Sequence, residues 1–401
     1  MLKNLPTILK IISKELYRIG ATAIIVGGAV RDYYLNLSIK DYDLEIYGLD
    51  TLEQLECILL KYGSVNIVGK SFGVLKFKYD GDEYDFSFPR KESKTGVGHR
   101  GFKITIDNNL SFQEASRRRD FTINAMGFEI EKDIFLDPYN GLLDIKNKKI
   151  KHIDDLTFIE DPLRVYRAIQ FCARFEFILD EKSFILCQNM VKNNILKTIS
   201  KERIFEELSK LLLKAEQPSI GFYLMKSLGM LEIFPELETI NFRDLDYKNL
   251  DIKGMYVLLL RKLKREKILS FLYKITDSNK FIEDISLFIE YYQMGSLFFK
   301  NCATDADIKR LATKINISDL TTIAKYDDKV ANSWLLQKAQ ELEVDKKPLK
   351  PTVTGKDLIN IGLKPSPQFK KILEEIYDLE LEGIDYNIED IIQKIKYEAS
   401  I

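Results

Sequence analysis

The chain has 401 residues, 45% of them apolar and 11% aromatic, enough for roughly two to four domains with real cores, which excludes a disordered chain. Sixty Lys and Arg face 61 Asp and Glu, so no whole-molecule field draws it to a polyanion, and any such partner must meet a local patch. Two histidines, and four cysteines without CxxC spacing, leave no HExxH motif and no His-Asp metal hydrolase cluster.

The longest uninterrupted apolar run, Met255–Leu260, is far short of the ~20 residues that cross a bilayer, and Lys3, Lys10 and Lys14 interrupt the N-terminal apolar stretch. These features predict a cytoplasmic protein without membrane contact. Cys57, Cys172, Cys187 and Cys302 each have apolar neighbours in sequence and are expected to be buried, reduced thiols.

In chain order, residues 1–150 mix short alternating runs with helices. Strands are expected at Ala23–Val26, Tyr42–Tyr47, Val74–Tyr79, Tyr84–Phe88, Lys103–Ile106 and Ile134–Leu136, together forming one mixed sheet. From about residue 155 nearly every segment carries helical i, i+3, i+4 apolar spacing. Lys346–Thr354 reads as a linker. Beyond it, Ser366-Pro367 starts a helix with Phe369, Ile372, Leu373 and Ile376 as its buried stripe and Gly383 as its end, and a second short helix begins at Asn387.

Four segments carry chemistry. Ala23–Asn36 reads as strand, Gly27-Gly28 turn and helix, a geometry that offers free backbone N–H groups to an anion. In Asp41-Tyr42-Asp43-Leu44-Glu45-Ile46 alternation sets the carboxylates on one face, where a divalent cation would relieve their repulsion, and hard oxygen ligands select Mg²⁺ or a similar ion. Glu45, one step further along, and Asp85, on a later strand, are further candidates for a third ligand. Between Arg90 and Arg119 basic residues outnumber acidic ones by five, and the glycine-rich part Lys91–Phe102 reads as a mobile loop. A glycine turn, an acidic strand and an arginine cluster in one domain suit a nucleoside triphosphate.

The fourth segment, Glu160-Asp161-Pro162-Leu163-Arg164, opens the helical half. Asp161 reads as a helix cap with Pro162 at the first helical position, and Arg164 and Arg167 follow three and six residues later. An acceptor on Asp161 beside a donor on Arg164 matches the amino group and ring nitrogen of cytosine and of adenine, and opposes uracil and guanine.

The chain resembles the class II tRNA nucleotidyltransferases, which include CCA-adding enzymes and bacterial poly(A) polymerases. The residues that carry the resemblance are Gly27–Asp32, Asp41-Tyr42-Asp43, the loop Lys91–Phe102, Arg118–Met126, Asp137–Gly141 and Glu160–Arg167, with Val353–Leu358 and Gly362–Pro365 in the tail. It implies an α+β chain: a polymerase-β-like nucleotidyltransferase head with a mixed sheet over residues 1–150, then an all-helical neck (151–215), body (216–345) and tRNA-binding tail (346–401). It implies CTP- and ATP-dependent addition of C, C and A to the tRNA 3′ end with release of pyrophosphate; poly(A) or A-only addition is the alternative, and a non-catalytic RNA-binding protein a more remote one. Asp41 and Asp43 would hold catalytic Mg²⁺, Gly27, Gly28, Arg31 and Arg119 would meet the triphosphate, and Asp161, Arg164 and Arg167 would form the nucleotide pocket. Within that family the loop matching Lys91–Phe102 is shortened in CC-only enzymes and is thought to help the pocket change from cytosine to adenine. Many relatives have an arginine where this chain has Gln170.

Overall fold

The computed structural model describes residues 5–67, 73–94, 102–107, 110–325 and 329–398. They form two compact units, one ending at Tyr247 and the other starting at Lys248.

The first unit begins with α1 (Thr7–Arg18), which buries Ile8, Leu9, Ile12 and Leu16 at helical spacing and packs on β1 (Thr22–Val26). Gly27 turns the chain into α2 (Gly28–Tyr34), and β2 (Tyr42–Tyr47), α3 (Leu52–Leu59), β3 (Ser64–Ile67), β4 (Val74–Tyr79) and β5 (Asp82–Ser87) follow. After β6 (Arg90–Lys94) and β7 (Phe102–Ile106) come α4 (Phe112–Ser116), a 3₁₀ turn at Thr122–Asn124, β8 (Gly127–Glu129) and β9 (Ile134–Leu136). The sheet order is β3-β4-β5-β2-β1-β8-β9. β2 lies at its centre, antiparallel to β1 and parallel to β5, and the register sets Asp43 opposite Val26 and beside Asp85, and Glu45 opposite Ile24. Flanking strands on both sides fix the position of the acidic residues.

The sheet is mixed, as the alternation predicts, but two expectations change. Lys103–Ile106 belongs to β7, which pairs with β6 in a separate antiparallel ribbon and not in the main sheet. Lys91–Lys94 is therefore strand where the glycines suggest loop; residues 95–101 of that segment lie outside the described residues. Of the cysteines, Cys172 and Cys187 are buried, and burial pushes the Cys187 thiol up to about 12. Cys57 is exposed, because α3 turns Leu55, Ile58 and Leu59 inward and leaves position 57 on its outer face. Its apolar neighbours in sequence are on the opposite side of the helix.

The chain continues through α5 (Gly141–Lys146), α6 (Asp155–Glu160), α7 (Leu163–Phe175), α8 (Glu181–Lys192), α9 (Lys201–Lys214) and α10 (Pro218–Ser227). α7 is the hub of this helical part: Val165, Tyr166, Ala168, Ile169 and Cys172 are buried, and α9 and α10 pack on it.

In the second unit, α11 (Ile252–Leu260) buries every residue from Gly254 to Leu260. α12 (Arg265–Ile275) and α13 (Asn279–Cys302) follow, and α13 kinks at Gly295 (φ 75°). α14 (Asp305–Lys314), α15 (Ile317–Ala324) and α16 (Lys329–Glu341) enclose Ile308, Leu311, Ile317, Leu320 and Leu335. α17 (Gly355–Asn360), α18 (Gln368–Glu382) and α19 (Ile388–Glu398) share a smaller core of Leu358, Ile372, Ile376, Ile391, Ile392 and Ile395. α18 ends at Gly383 in the left-handed region, as expected from its sequence. The tail motif Thr354–Asp357 is a capping box: Thr354 Oγ1 and N donate to Asp357 Oδ2 at 2.6 and 2.7 Å. Among the described residues no helix is long and apolar enough to cross a membrane.

The basic run Arg261–Lys267 reads in the sequence as a solvated helix face or a set of phosphate contacts. Its first four residues form the turn between α11 and α12, and Arg261 is buried, donating to the Leu258 carbonyl, while Gln293 donates to the carbonyls of Arg261 and Leu263 at 2.8 Å each. Arg261→Ala is expected to lower unfolding free energy by about 2 kcal/mol in urea titration, because it leaves a buried carbonyl without its donor, whereas the exposed Lys264→Ala should change it by less than about 0.5 kcal/mol. Equal effects would return Arg261 to the surface.

Candidate active site

The turn after β1 needs glycine for two reasons. Gly27 has φ 69° and ψ −126°, and a Cβ there would stand 2.9 Å from Nη1 of Arg119. Arg31, one turn into α2, is buried beneath this turn. Its Nε donates to Asp32 Oδ1 at 2.8 Å and its Nη1 to Asn124 Oδ1 at 2.6 Å, and the guanidinium lies over the rings of Phe171 and Phe175 at 5.3 and 5.0 Å. This links α2 to the 3₁₀ turn and to α7.

Arg118, Arg119 and Asp120 occupy the bend after α4. Asp120 Oδ1 accepts from Phe121 N at 2.8 Å and from Asn124 Nδ2 at 2.9 Å, and Oδ2 accepts from Arg167 Nε at 2.7 Å. Burial alone would raise the Asp120 pKa, but Arg167, Asn124 and Arg164 hold it below the ordinary carboxylate value. Arg119 Nη2 donates to Glu45 Oε1 at 2.9 Å, and Arg118 Nη2 donates to the same oxygen at 3.2 Å.

Asp161 joins α6 to α7. Its Oδ1 accepts from Leu163 N, the first residue of α7, at 3.2 Å; Pro162, expected at the first helical position, instead flanks the helix at its N-cap, and the Asp161 carboxylate also takes Arg203 Nη2 from α9 at 3.0 and 3.2 Å. Arg164 turns its guanidinium to the carbonyls of Thr157 and Arg118. Arg167 pairs with Asp120 and lies 3.8 Å from Glu207.

These groups converge on one cavity of about 400 Å³, lined by Gly27, Gly28, Arg31, Asp43, Arg118, Arg119, Asp120, Asn124, Asp161, Arg164 and Arg167. Eight of the nine residues singled out in the sequence line it. The ninth, Asp41, precedes β2 and is exposed. A second cavity of about 450 Å³, among α11, α13 and α15, has its Lys253 already paired with Asp284 and offers no comparable cluster of cations.

Asp43 opens to solvent yet has dense protein around it. Burial raises its pKa; Arg119 opposes this, and Asp85, Asp41 and Glu45 add to it. A carboxylate disfavoured in its charged form by burial and like charges fits a hard divalent cation, and the donors here are oxygens only. Of the two further candidates for a third ligand, Glu45 is buried under the arginines, whereas Asp85 lies beside Asp43 in the sheet, partly exposed, with Lys76 at 3.6 Å. Among the described residues no group of three or more His, Cys, Asp or Glu is arranged for a metal, so water and phosphate oxygens would complete the shell of a cation on Asp41 and Asp43. Gln170 is buried within α7 and is not part of the cavity lining.

The sequence pattern does not mark Arg118, Asp120, Asn124 or Arg203 as individual site residues. The first three lie inside the Arg118–Met126 motif and could have been taken from it; Arg203, 42 residues from its partner Asp161, had no signal.

Residues 23–151 match the family model described as "Poly A polymerase head domain", and residues 176–240 match "Probable RNA and SrmB- binding site of polymerase A". The similarity to a poly(A) polymerase head domain thus covers residues 23–151, about a third of the chain. The chain is 36% identical over 220 residues to a CCA-adding enzyme of Buchnera aphidicola subsp. Baizongia pistaciae (strain Bp), which covers 54% of this chain and 50% of that one. It is 35% identical over 251 residues to a multifunctional CCA protein of Haemophilus ducreyi (strain 35000HP / ATCC 700724), covering 61% and 58%. The matches thus span about half the length of these relatives. The fold continues beyond the head domain: a CCA-adding enzyme in apo form II superposes with a TM-score of 0.68 at 22% identity, covering all of this chain and 97% of the other. A Thermotoga maritima CCA-adding enzyme complexed with tRNA_CCA gives 0.61 at 21% identity, covering 99% and 97%.

Proposed function

We propose that the chain adds C, C and A to the 3′ end of tRNA without a nucleic-acid template, using CTP and ATP and releasing pyrophosphate. The observation that carries this reading is the single cavity in which the Gly27-Gly28 turn, Asp43, Arg118 and Arg119 meet Asp161, Arg164 and Arg167. The names of the relatives, CCA-adding enzyme and multifunctional CCA protein, support the same reading. In it, residues 1–150 act as catalytic head, 151–215 as neck, 216–345 as body and 346–401 as tRNA-binding tail.

Asp41 and Asp43 are the residues that would hold Mg²⁺, which supplies activation of the terminal 3′-hydroxyl and neutralises charge on the phosphates. Arg118 and Arg119, on the wall beside Asp43, offer donors to the triphosphate, and the close backbone of Gly27 and Gly28 leaves room for it. Arg31, held from below, keeps α2 and the turn in place as much as it offers charge. At the other end Asp161 accepts from the amino group of cytosine or adenine, Arg164 donates to the ring nitrogen, and the Asp120–Arg167 pair anchors the helix that carries them.

Polyadenylation is the second reading, favoured by the description of the family model. Incubation with tRNA ending before CCA decides between them. CTP alone should extend it by two nucleotides, and CTP with ATP by three and then stop. Long products with ATP alone would make the protein a poly(A) polymerase, and no product with any nucleotide would leave an RNA-binding protein.

The ribbon of β6 and β7 gives a further expected result. Shortening the segment Lys91–Phe102 should spare both C additions and reduce the final A at least about ten-fold, or ~1.4 kcal/mol, because the resemblance implies that this segment helps the pocket change from cytosine to adenine. Product lengths on a sequencing gel report it; equal loss of all three additions would assign the ribbon to folding instead.

A further inference from the structure

β2 carries Asp43 and, two residues on, Glu45 on the same face, but their surroundings are opposite. Asp43 faces the cavity. Glu45 is 1% exposed, and both its oxygens are occupied inside the protein. Oε1 accepts from Arg119 Nη2 at 2.9 Å and from Arg118 Nη2 at 3.2 Å, while Oε2 accepts from the Tyr47 hydroxyl at 3.0 Å. The backbone cannot slide, since residue 45 is in register with Ile24 of β1 and Ser87 of β5. Arg119 is also tied through Nη1 to the Asn124 carbonyl at 3.4 Å and packed against Gly27. Two guanidinium groups that share one carboxylate oxygen would repel each other without it.

We propose that Glu45 is a positioning residue for nucleotide binding: it fixes Arg118 and Arg119 relative to Asp43, so that one strand sets both where a metal is held and where the triphosphate lies. Glu45 is thereby not a third metal ligand. The proposal rests on reading the cavity as a nucleoside triphosphate site. Gln at position 45 keeps the shape and one acceptor but loses the charge that gathers the two arginines. Phe at position 47 leaves the charge and removes only the bond that orients it.

The test uses the full chain carrying Glu45→Gln, Tyr47→Phe or Arg119→Ala. CTP and ATP binding is measured by calorimetry with Mg²⁺ and without tRNA, together with KM for each nucleotide and for tRNA, and the Mg²⁺ concentration at half-maximal rate. Glu45→Gln should weaken CTP and ATP alike by about ten-fold in Kd and KM, leaving tRNA KM and half-saturating Mg²⁺ unchanged. Tyr47→Phe should shift the same two constants by about two- to three-fold. A shift in Mg²⁺ requirement without a change in nucleotide affinity would make Glu45 a metal ligand and overturn the proposal. Unchanged nucleotide affinity with a lower Tm would make it a purely structural group, with the same consequence. If Glu45→Gln does not fold, Tyr47→Phe decides, and an unaltered CTP Kd there overturns the proposal. Arg119→Ala separates the two levels. Wild-type CTP affinity in that variant would remove the triphosphate reading itself, and with it the role of Glu45, whereas loss in Arg119→Ala with none in Glu45→Gln or Tyr47→Phe would remove the positioning role alone.

Discussion

Asp43→Ala is expected to abolish nucleotide addition, lowering kcat by at least about a thousand-fold, while tRNA binding and the fold survive. The size follows from the chemistry assigned to the carboxylate: charge stabilisation worth several kcal/mol, where ~4 kcal/mol is already a factor of a thousand. The fold should survive because Asp43 contributes nothing to it. Its pKa is raised by burial, against the pull of Arg119, and further by Asp85, Asp41 and Glu45. The folded state therefore binds this proton more tightly than the unfolded chain, and stability falls as pH rises through the folded pKa. At neutral pH the ionised carboxylate is a cost, so Asp43→Ala and Asp43→Asn should melt at or above the wild-type temperature. Asp41→Ala should lose activity likewise; being exposed at the edge of β2, it should leave the melting temperature where it is. Single-turnover addition of labelled CTP to tRNA ending before CCA, run beside thermal melts, measures both quantities. Near-normal rates with Mg²⁺ in either variant would remove the metal assignment, and a large drop in melting temperature would make Asp43 structural.

The same strand marks how far local sequence carries. Alternation in Asp41–Ile46 states which residues share a face; in the structure Asp43 and Glu45 stand two apart within β2, Asp41 precedes the strand, and Leu44, Glu45 and Ile46 are all buried. It cannot state what lies over that face. The two arginine partners of Glu45 are 73 and 74 residues away, so whether the third acid of the row joins the first two or is covered depends on packing that no local pattern encodes. Asp161 is similar. Its capping bond to Leu163 N is a short-range property and was legible, whereas its pairing with Arg203 depends on how α9 packs against α7. β3 and β8 carry no legible period and are fixed by their neighbours in the sheet, whereas the equally short Ile134–Leu136 is marked out by the Asp residues that bound it. Arg261 was misplaced for a related reason: a run of charges looks solvated until one of its members is needed to satisfy a helix end. The glycine turn could be read because one of its requirements, a positive φ, is local; the room it leaves for the distant Arg119 has no signal in the turn itself.

Asp161→Ala should damage discrimination more than turnover. If Asp161 accepts from the amino group and Arg164 donates to the ring nitrogen, the alanine variant still selects a ring acceptor but no longer sets a carboxylate against the carbonyl of uracil or guanine. A mismatched polar contact in such a site is worth on the order of 1–3 kcal/mol, so UTP and GTP misincorporation should rise roughly ten- to hundred-fold relative to CTP and ATP. Arg164→Ala should weaken both correct nucleotides together. The variant also strips Arg203 of the carboxylate at 3.0 Å and α7 of a cap bond, so some stability is lost in any case, and rates must be compared well below the melting temperature. Asp161→Asn separates the two effects. An asparagine oxygen keeps the cap, but its amide can turn its nitrogen towards the base and donate to a carbonyl, so this variant should admit UTP with less loss of stability than the alanine. If both variants melt earlier and still reject UTP and GTP as the wild type does, Asp161 is a helix cap and nothing more, and base selection must be sought in Arg164 and the backbone carbonyls it faces.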